Sequence, residues 1–121
     1  MLPTELHVTL IGDCKMKTLN REYRGKNKTT DVLSFPIFEN LRCAKDLPVG
    51  ALELGDVFIS LPVLKKQAQD FQVSEENEFI HLFVHGFLHL LGFDHEISEK
   101  EEKLMEGHEK ELIQIIQQKV F

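Results

Sequence analysis

The chain has 121 residues, enough for one domain around a single hydrophobic core but too few for two. Its hydrophobic content of 42 % and charged content of 28 % are ordinary for a soluble globular protein, and no apolar run is long enough to span a membrane. The net charge of −6 argues against general nucleic-acid binding, so DNA is not an expected partner. We therefore predict a single domain over residues 1–121, without a membrane partner.

The N-terminal residues and the cysteines indicate the cellular compartment. The first residues, MLPTELHVTL, lack the basic start and the apolar stretch of a signal peptide. The two cysteines, Cys14 and Cys43, are far apart in the chain and form no CxxC pair. We therefore expect a reduced protein in the cytoplasm.

The first half of the chain predicts a strand, a helix and a second strand. Residues 5–11 alternate between polar and apolar side chains, as in a strand. Asp13 is expected to cap a short helix that ends at Gly25. The apolar side chains that recur at helical spacing in this helix are Met16, Leu19 and Tyr23. Residues 32–38 predict the second strand, and Pro36 indicates that it lies at an edge or is interrupted there.

A third strand and a second helix follow. Residues 39–50 are expected to form a connecting loop, and residues 51–60 the third strand, with a bulge or bend at Gly55. Ser60 is expected to cap a helix that runs through Phe71.

Two further helices complete the predicted order β-α-β-β-α-α-α, a small α+β domain in which one mixed sheet packs against helices. Ser74 is expected to cap a helix that runs through Leu91 and stops at Gly92. The last helix is expected to open at Ser98, with Glu101 completing a capping box. The apolar residues of the last helix that are expected to face inward are Leu104, Leu112, Ile115 and Ile116.

Charge is distributed unevenly along the chain. Residues 14–30 contain six basic residues and one acidic residue, a local charge of +5 that leaves −11 for the rest. The acidic segment beyond residue 95 is interpreted as a solvated helix face. The basic segment can attract a polyanion even though the whole protein is acidic.

Three histidines lie within the eleven residues HGFLHLLGFDH at positions 85–95. His85 and His89 are one helical turn apart and project from the same face of a helix. A helix stop at Gly92 would let His95 return toward them. Three imidazoles without a fourth protein ligand are typical of a catalytic zinc site, so we predict that these histidines bind one metal ion.

Position 86 separates this motif from that of the zinc proteases. In the protease pattern HExxHxxGxxH the second residue is the glutamate that acts as general base, whereas this chain has Gly86. Another group must then supply the base, or water on the metal must ionise unaided, since zinc can lower its pKa to about 7. A carboxylate introduced at position 86 is expected to lie beside the metal. For the remaining histidines, we expect His7 and His108 to be core or surface residues unrelated to the site, and His81 to have a packing or supporting role rather than to be a fourth ligand.

With these motifs in view, the chain closely resembles the YbeY family of bacterial endoribonucleases. The segments that carry the resemblance are HGFLHLLGFDH at 85–95, NREYRGKNKTTDVLSFP at 20–36 and, more weakly, LGDVFIS at 54–60. The resemblance implies an α+β fold and a zinc ion, or another divalent transition metal, bound by the three histidines. It also implies cleavage of single-stranded RNA in the 3′-end maturation of small-subunit ribosomal RNA and in ribosome quality control.

The resemblance also implies residues and partners. Its metal ligands are His85, His89 and His95, and Arg24 and His85 are the catalytic residues. Together with the charge map, it indicates that Arg24, Lys26 and Lys28 bind RNA. The expected partners are single-stranded RNA, ribosomal RNA, and the small ribosomal subunit or its proteins. Family members usually have a further strand and helix before the segment that begins at Glu5, so we expect one uncovered sheet edge.

Two other functions remain open from the sequence. One is a metallohydrolase of another substrate class with a protease-like site, and the glycine at position 86 counts against it. The other is a ribosome-assembly factor in which zinc is structural. Removal of the metal distinguishes a structural ion from a catalytic one. Loss of a structural ion unfolds the protein, whereas loss of a catalytic ion leaves it folded but inactive.

Overall fold

The structure, a computed structural model, describes residues 4–38 and 52–120. Its strands are β1 (Thr4–Ile11), β2 (Val32–Pro36) and β3 (Leu52–Ser60). Its helices are α1 (Asp13–Arg24), α2 (Leu61–Asp70), α3 (Glu75–Leu90) and α4 (Glu99–Val120). The predicted α+β class and element order are confirmed. The connecting loop predicted over residues 39–50, together with Cys43, lies outside the described residues.

The three strands form one mixed sheet in the order β1-β3-β2. β1 runs parallel to β3, and β2 runs antiparallel to it. β2 is an edge strand that ends at Pro36, as its sequence predicted. Within the described part of the chain β1 forms the other edge, where Val8 and Leu10 are exposed. The predicted bulge is also confirmed, because the β1–β3 register shifts next to Gly55, whose φ of 133° only glycine adopts readily.

Serine side chains cap three of the four helices as predicted. The hydroxyl oxygens of Ser60, Ser74 and Ser98 each accept a hydrogen bond from the backbone N–H three residues further along the chain. Each bond satisfies one of the amide groups that the first turn of a helix leaves without a partner.

Helix α1 begins differently from the prediction. Its N-cap is Gly12, and Asp13 is the first helical residue, so the expectation that Asp13 caps the helix is wrong. The carboxylate of Asp13 instead accepts a hydrogen bond from the Thr29 hydroxyl at 2.7 Å, which ties the helix to the loop that follows it. The predicted end is confirmed, since Gly25 adopts the left-handed conformation with φ of 69°.

Helix α3 lies between the sheet and α4. The cluster that joins α3 to β3 and α2 consists of Leu54, Val57, Ile59, Leu64, Leu82 and Leu90. The cluster that joins α3 to α4 consists of Ile80, Val84, Leu88 and Met105. Because α3 is packed on both sides, its backbone is held firmly in the protein. In the ranges described, no helix has the length and apolar character needed to cross a membrane.

Helix α4 turns a different face inward from the one predicted. Leu104 and Ile115 are exposed, so the expectation that they face the core is wrong. Met105 is buried instead, and Leu112 and Ile116 pack against the same cluster. At 3.6 residues per turn these three lie within about 40° of one another, whereas Leu104 and Ile115 lie about 80–100° from that stripe. The inward face widens on the other side, where Ile113 also packs against the cluster, and this leaves Leu104 and Ile115 exposed.

Candidate functional site

Helix α3 places two histidines next to each other. His85 and His89 are one turn apart, and their ring centroids are 4.7 Å apart. The Nε2 atoms of the two rings lie 3.1 Å from each other, so both nitrogens point to the same region of space. Since α3 is packed against the sheet and α4, this arrangement is built into the fold.

The end of α3 returns the third histidine to the other two. Gly92 has a φ of 106° and its N–H donates to the carbonyl of His89, while the N–H of Phe93 donates to the carbonyl of Leu88. These two bonds form a Schellman motif, which reverses the chain after a helix. The ring centroid of His95 consequently lies 5.1 Å from that of the first histidine and 5.3 Å from that of the second. The predicted stop at Gly92 is confirmed.

The three imidazoles suit a metal ion. One nitrogen of each lies within 4.8 Å of the others, close enough to ligate a common ion. The Nδ1 atom of His95 is buried without a hydrogen-bond partner among the described residues, which is unfavourable unless something binds it. Burial, followed by the proximity of His85 and His95, lowers the pKa of His89 to about 4. His89 is therefore neutral at neutral pH, the form in which imidazole binds metals.

Glu109 orients the first histidine, a contact that the sequence did not predict. Its Oε1 atom lies 2.6 Å from Nδ1 of His85, and its side chain is only 14 % exposed. Burial raises the pKa of Glu109, but the hydrogen bond with His85 and the electrostatic influence of the surrounding histidines outweigh burial and hold that pKa below its usual value. An ionised carboxylate only accepts hydrogen bonds, so Nδ1 carries the proton and Nε2 of His85 offers its lone pair toward His89.

A cavity of about 760 Å³ joins the histidines to the basic segment. The predicted residues that line it are Arg24, Lys26, Lys28, His85, His89 and His95. Asn20 fixes the basic loop through two hydrogen bonds. Its buried side-chain amide donates to the backbone carbonyl of Lys28 at 2.8 Å, and its backbone carbonyl accepts from the N–H of Lys26. The structure therefore brings all six predicted site residues to one cleft.

Arg24 is the last residue of α1 and faces Glu96 across the cleft. Its Nη2 atom lies 3.7 Å from Oε1 of Glu96, and both side chains are about half exposed. An exposed ion pair at this distance contributes little free energy. The guanidinium can therefore exchange this partner for an anionic ligand in the cleft.

Gly86 packs against the floor of the cleft. A Cβ added there would lie 2.7 Å from Cγ1 of Val57 and 3.1 Å from Oγ of Ser34, whose hydroxyl donates to the Gly86 carbonyl. Any side chain at position 86 would therefore meet the sheet first, so a carboxylate can be introduced there only if α3 or the sheet moves. The close approach of α3 to β2 and β3 accounts for glycine where the protease motif has glutamate.

The other three histidines that the structure describes lie outside this cluster. Nδ1 of His81 lies 2.9 Å from a carboxylate oxygen of Glu78, which is buried. His7 lies on β1 near two glutamates, and the ring of His108 packs against Phe93 with centroids 5.0 Å apart. None of the three belongs to the described group that could hold a metal.

Comparison with known proteins finds relatives of this chain in one enzyme family. The sequence model of the family described as Endoribonuclease YbeY matches residues 1–117. Endoribonuclease YbeY of Leptospira interrogans is 47 % identical over 123 residues, covering 93 % of this chain and 87 % of the relative. Endoribonuclease YbeY of Persephonella marina is 47 % identical over 112 residues, covering 93 % and 70 %.

A solved structure shows the same fold. The solution structure of TM1509 from Thermotoga maritima matches with a TM-score of 0.59 at 30 % sequence identity. The match covers 89 % of this chain and 65 % of that chain. The arrangement of the mixed sheet and helices is therefore shared with an experimentally determined relative.

Proposed function

The chain belongs to the YbeY family of endoribonucleases, and from this premise we propose that it is a metal-dependent endoribonuclease specific for single-stranded RNA. The observation that carries the proposal is the single cleft in which three metal-binding imidazoles face three cations, Arg24, Lys26 and Lys28. A phosphodiester needs such a pairing, because its anionic oxygens must be held while one bond to phosphorus is replaced by another.

His85, His89 and His95 would hold the metal, with Glu109 keeping His85 in the ligating tautomer. We propose zinc, although three imidazoles also suit other divalent transition metals. When bound, such an ion polarises a phosphoryl oxygen and lowers the pKa of water.

Arg24 would stabilise the negative charge that develops on the phosphoryl oxygens. A guanidinium presents paired N–H donors that match two phosphate oxygens, and Arg24 lines the same cavity as the histidines. Lys26 and Lys28 would hold neighbouring phosphates of the strand. Their loop is anchored by Asn20, so these charges are presented without a large loss of conformational freedom.

The biological setting of this activity is also a proposal. We place the protein in the cytoplasm, acting on ribosomal RNA in the 3′-end maturation of the small-subunit RNA and in ribosome quality control. The small ribosomal subunit or its proteins would be its partners. The endoribonuclease names of the relatives support the RNA substrate.

The test is cleavage of a single-stranded RNA oligonucleotide by the purified protein before and after removal of metal by a chelator. We expect cleavage that is lost with the metal and restored by zinc, while circular dichroism shows that the protein stays folded. Double-stranded RNA and single-stranded DNA of the same sequence should resist cleavage. His89→Ala should lose both metal and activity, whereas His7→Ala, outside the cluster, should retain both.

The same experiment separates the alternatives. Unfolding on chelation without any cleavage beforehand would favour a structural metal in an assembly factor. Hydrolysis of a peptide substrate, with RNA left intact, would favour a protease-like metallohydrolase. Either outcome would refute the proposed function.

A further inference from the structure

Tyr23 occupies an unexpected position on the cleft. Its spacing within α1 is that of an apolar residue facing the core, together with Met16 and Leu19. Met16 is buried, but Tyr23 is 66 % exposed and lines the same cavity as Arg24 and the three histidines. Because this large aromatic ring is exposed to solvent, the protein does not gain the stabilisation that burial of the ring would contribute.

The ring of Tyr23 is held in a defined orientation. It contacts Phe35 edge-on, with centroids 5.0 Å apart and an interplanar angle of 74°. Phe35 in turn contacts Phe58 in the same way, at 5.6 Å and 78°. Phe35 lies on β2 and Phe58 on the neighbouring strand β3, and both pack against the same core cluster, so the tyrosine is supported by the fold. An edge contact on one side leaves much of the ring surface available.

The neighbours of Tyr23 suit the backbone of a nucleic acid. Arg24 is the next residue, and the anchored loop with Lys26 and Lys28 follows directly. Pro36 lines the same cavity, and Ile37 beside it is exposed. An apolar surface therefore adjoins the cationic part of the cleft, which is the arrangement needed to bind a base and its phosphate together.

We propose that Tyr23 is a nucleobase-binding subsite, on which one unpaired base of the RNA stacks while Arg24 and the loop lysines hold the adjacent phosphates. The inference rests on the proposed function and adds to it the group that recognises the base. A base inside a duplex is stacked between its neighbours, so only a single strand can offer a free face to the ring. Tyr23 thus supplies a physical reason for single-strand specificity.

The chain offers a direct probe of this subsite. Tyr23 is the only tyrosine and there is no tryptophan, so tyrosine fluorescence reports on this residue alone. On rapid mixing of the metal-loaded protein with a short oligouridylate, we expect the fluorescence to be quenched before cleavage proceeds. An oligonucleotide of the same length with abasic residues should quench less and bind more weakly, and a duplex RNA should leave the signal unchanged.

Substitutions separate stacking from electrostatic attraction. Tyr23→Ala should weaken binding of the oligouridylate about 5- to 100-fold, the range expected for loss of one stacked base. The salt dependence of binding should stay the same, because no phosphate contact is lost. Tyr23→Phe should retain most of the affinity. The matched control is Phe71→Ala, since Phe71 is 63 % exposed but does not line the cleft.

The outcomes distinguish the subsite from the proposed function. Metal-dependent cleavage and salt-dependent binding without quenching, with Tyr23→Ala equal to Phe71→Ala, would overturn the subsite and leave the nuclease function intact. An unmodified protein that neither binds nor cleaves single-stranded RNA would overturn both. Quenching by the duplex equal to that by the single strand would also refute the stacking proposal.

Discussion

Replacement of Gly86 by alanine tests how closely the metal-binding helix approaches the sheet. The added methyl group would lie 2.7 Å from Cγ1 of Val57, 3.1 Å from Oγ of Ser34 and 3.3 Å from Cγ2 of Val32. Val57 is fully buried, and a β-branched side chain in a strand has few alternative rotamers. The helix or the strand must therefore move to accept the methyl group.

The expected free-energy change combines two effects of opposite sign. Alanine is a better helix former than glycine by about 0.5–1 kcal/mol. Overpacking a well-packed core costs about 1–3 kcal/mol. Gly107→Ala isolates the first effect, because Gly107 lies in α4 and an added Cβ there would have no tertiary contact within 4 Å among the described residues. Relative to Gly107→Ala, Gly86→Ala should be less stable by about 1–3 kcal/mol, the overpacking cost alone.

Chemical denaturation of the two variants and the unmodified protein, all free of metal, measures this difference. Gly107→Ala should unfold at a higher denaturant concentration than the unmodified protein, and Gly86→Ala should not share that gain. Equal stabilisation of the two variants would refute the close packing of α3 on the sheet. Gly86→Glu should be more disruptive still, and a folded, metal-binding Gly86→Glu protein would contradict the steric explanation for the missing glutamate.

Four further predictions concern the site. Glu109→Ala should lower metal affinity about 10- to 100-fold in competition with a chromophoric chelator, because His85 loses the carboxylate that orients it; Glu106→Ala, one turn earlier on α4, should have no such effect. Arg24→Ala should keep the bound metal but lose about 10²–10³-fold in cleavage rate, and Arg24→Lys should recover only part, since an ammonium lacks the paired donors; an unchanged rate would remove arginine from the mechanism. Lys26→Ala should weaken RNA binding and reduce its dependence on salt, with metal content unchanged, whereas an identical salt slope would place the strand elsewhere. Without metal, the protein should lose stability as pH falls from 6.5 to about 4, because the unfolded chain protonates His89 in that window and the folded protein does not; the melting temperature of a His89→Asn variant should fall less over the same range.

Features set by neighbouring residues could be predicted from the sequence. The three serine caps, the end of α1 at Gly25 and the stop of α3 at Gly92 follow from the needs of helix termini, which are satisfied within a few residues. The histidine spacing belongs to this class as well, because one helical turn and one Schellman motif bring all three rings together. The charge of the 14–30 segment was also visible in the sequence.

Features set by packing between distant elements could not be predicted in this way. The sequence does not show that alanine is too large at position 86, because the crowding comes from residues on β2 and β3. Glu109 likewise cannot be singled out among the glutamates of α4 until its contact with His85 is known. The helical period alone did not show that Leu104 and Ile115 are exposed, because the face of α4 that is buried depends on where α3 packs against it.

By itself the sequence determined the α+β class, the approximate ends of the helices and a set of three histidines suited to one metal, because short-range geometry and hydrogen bonding decide each of these. Only the tertiary structure decided which residues share the cleft. Packing of α3 against β2 and the placement of α1 at the same opening bring Arg24 and the loop lysines to the histidines about 60 residues further along the chain. The same packing leaves the ring of Tyr23 exposed beside them, because Tyr23 shares a face of α1 with the buried Met16 but lies two turns further along, at the end of the helix that opens onto the cleft.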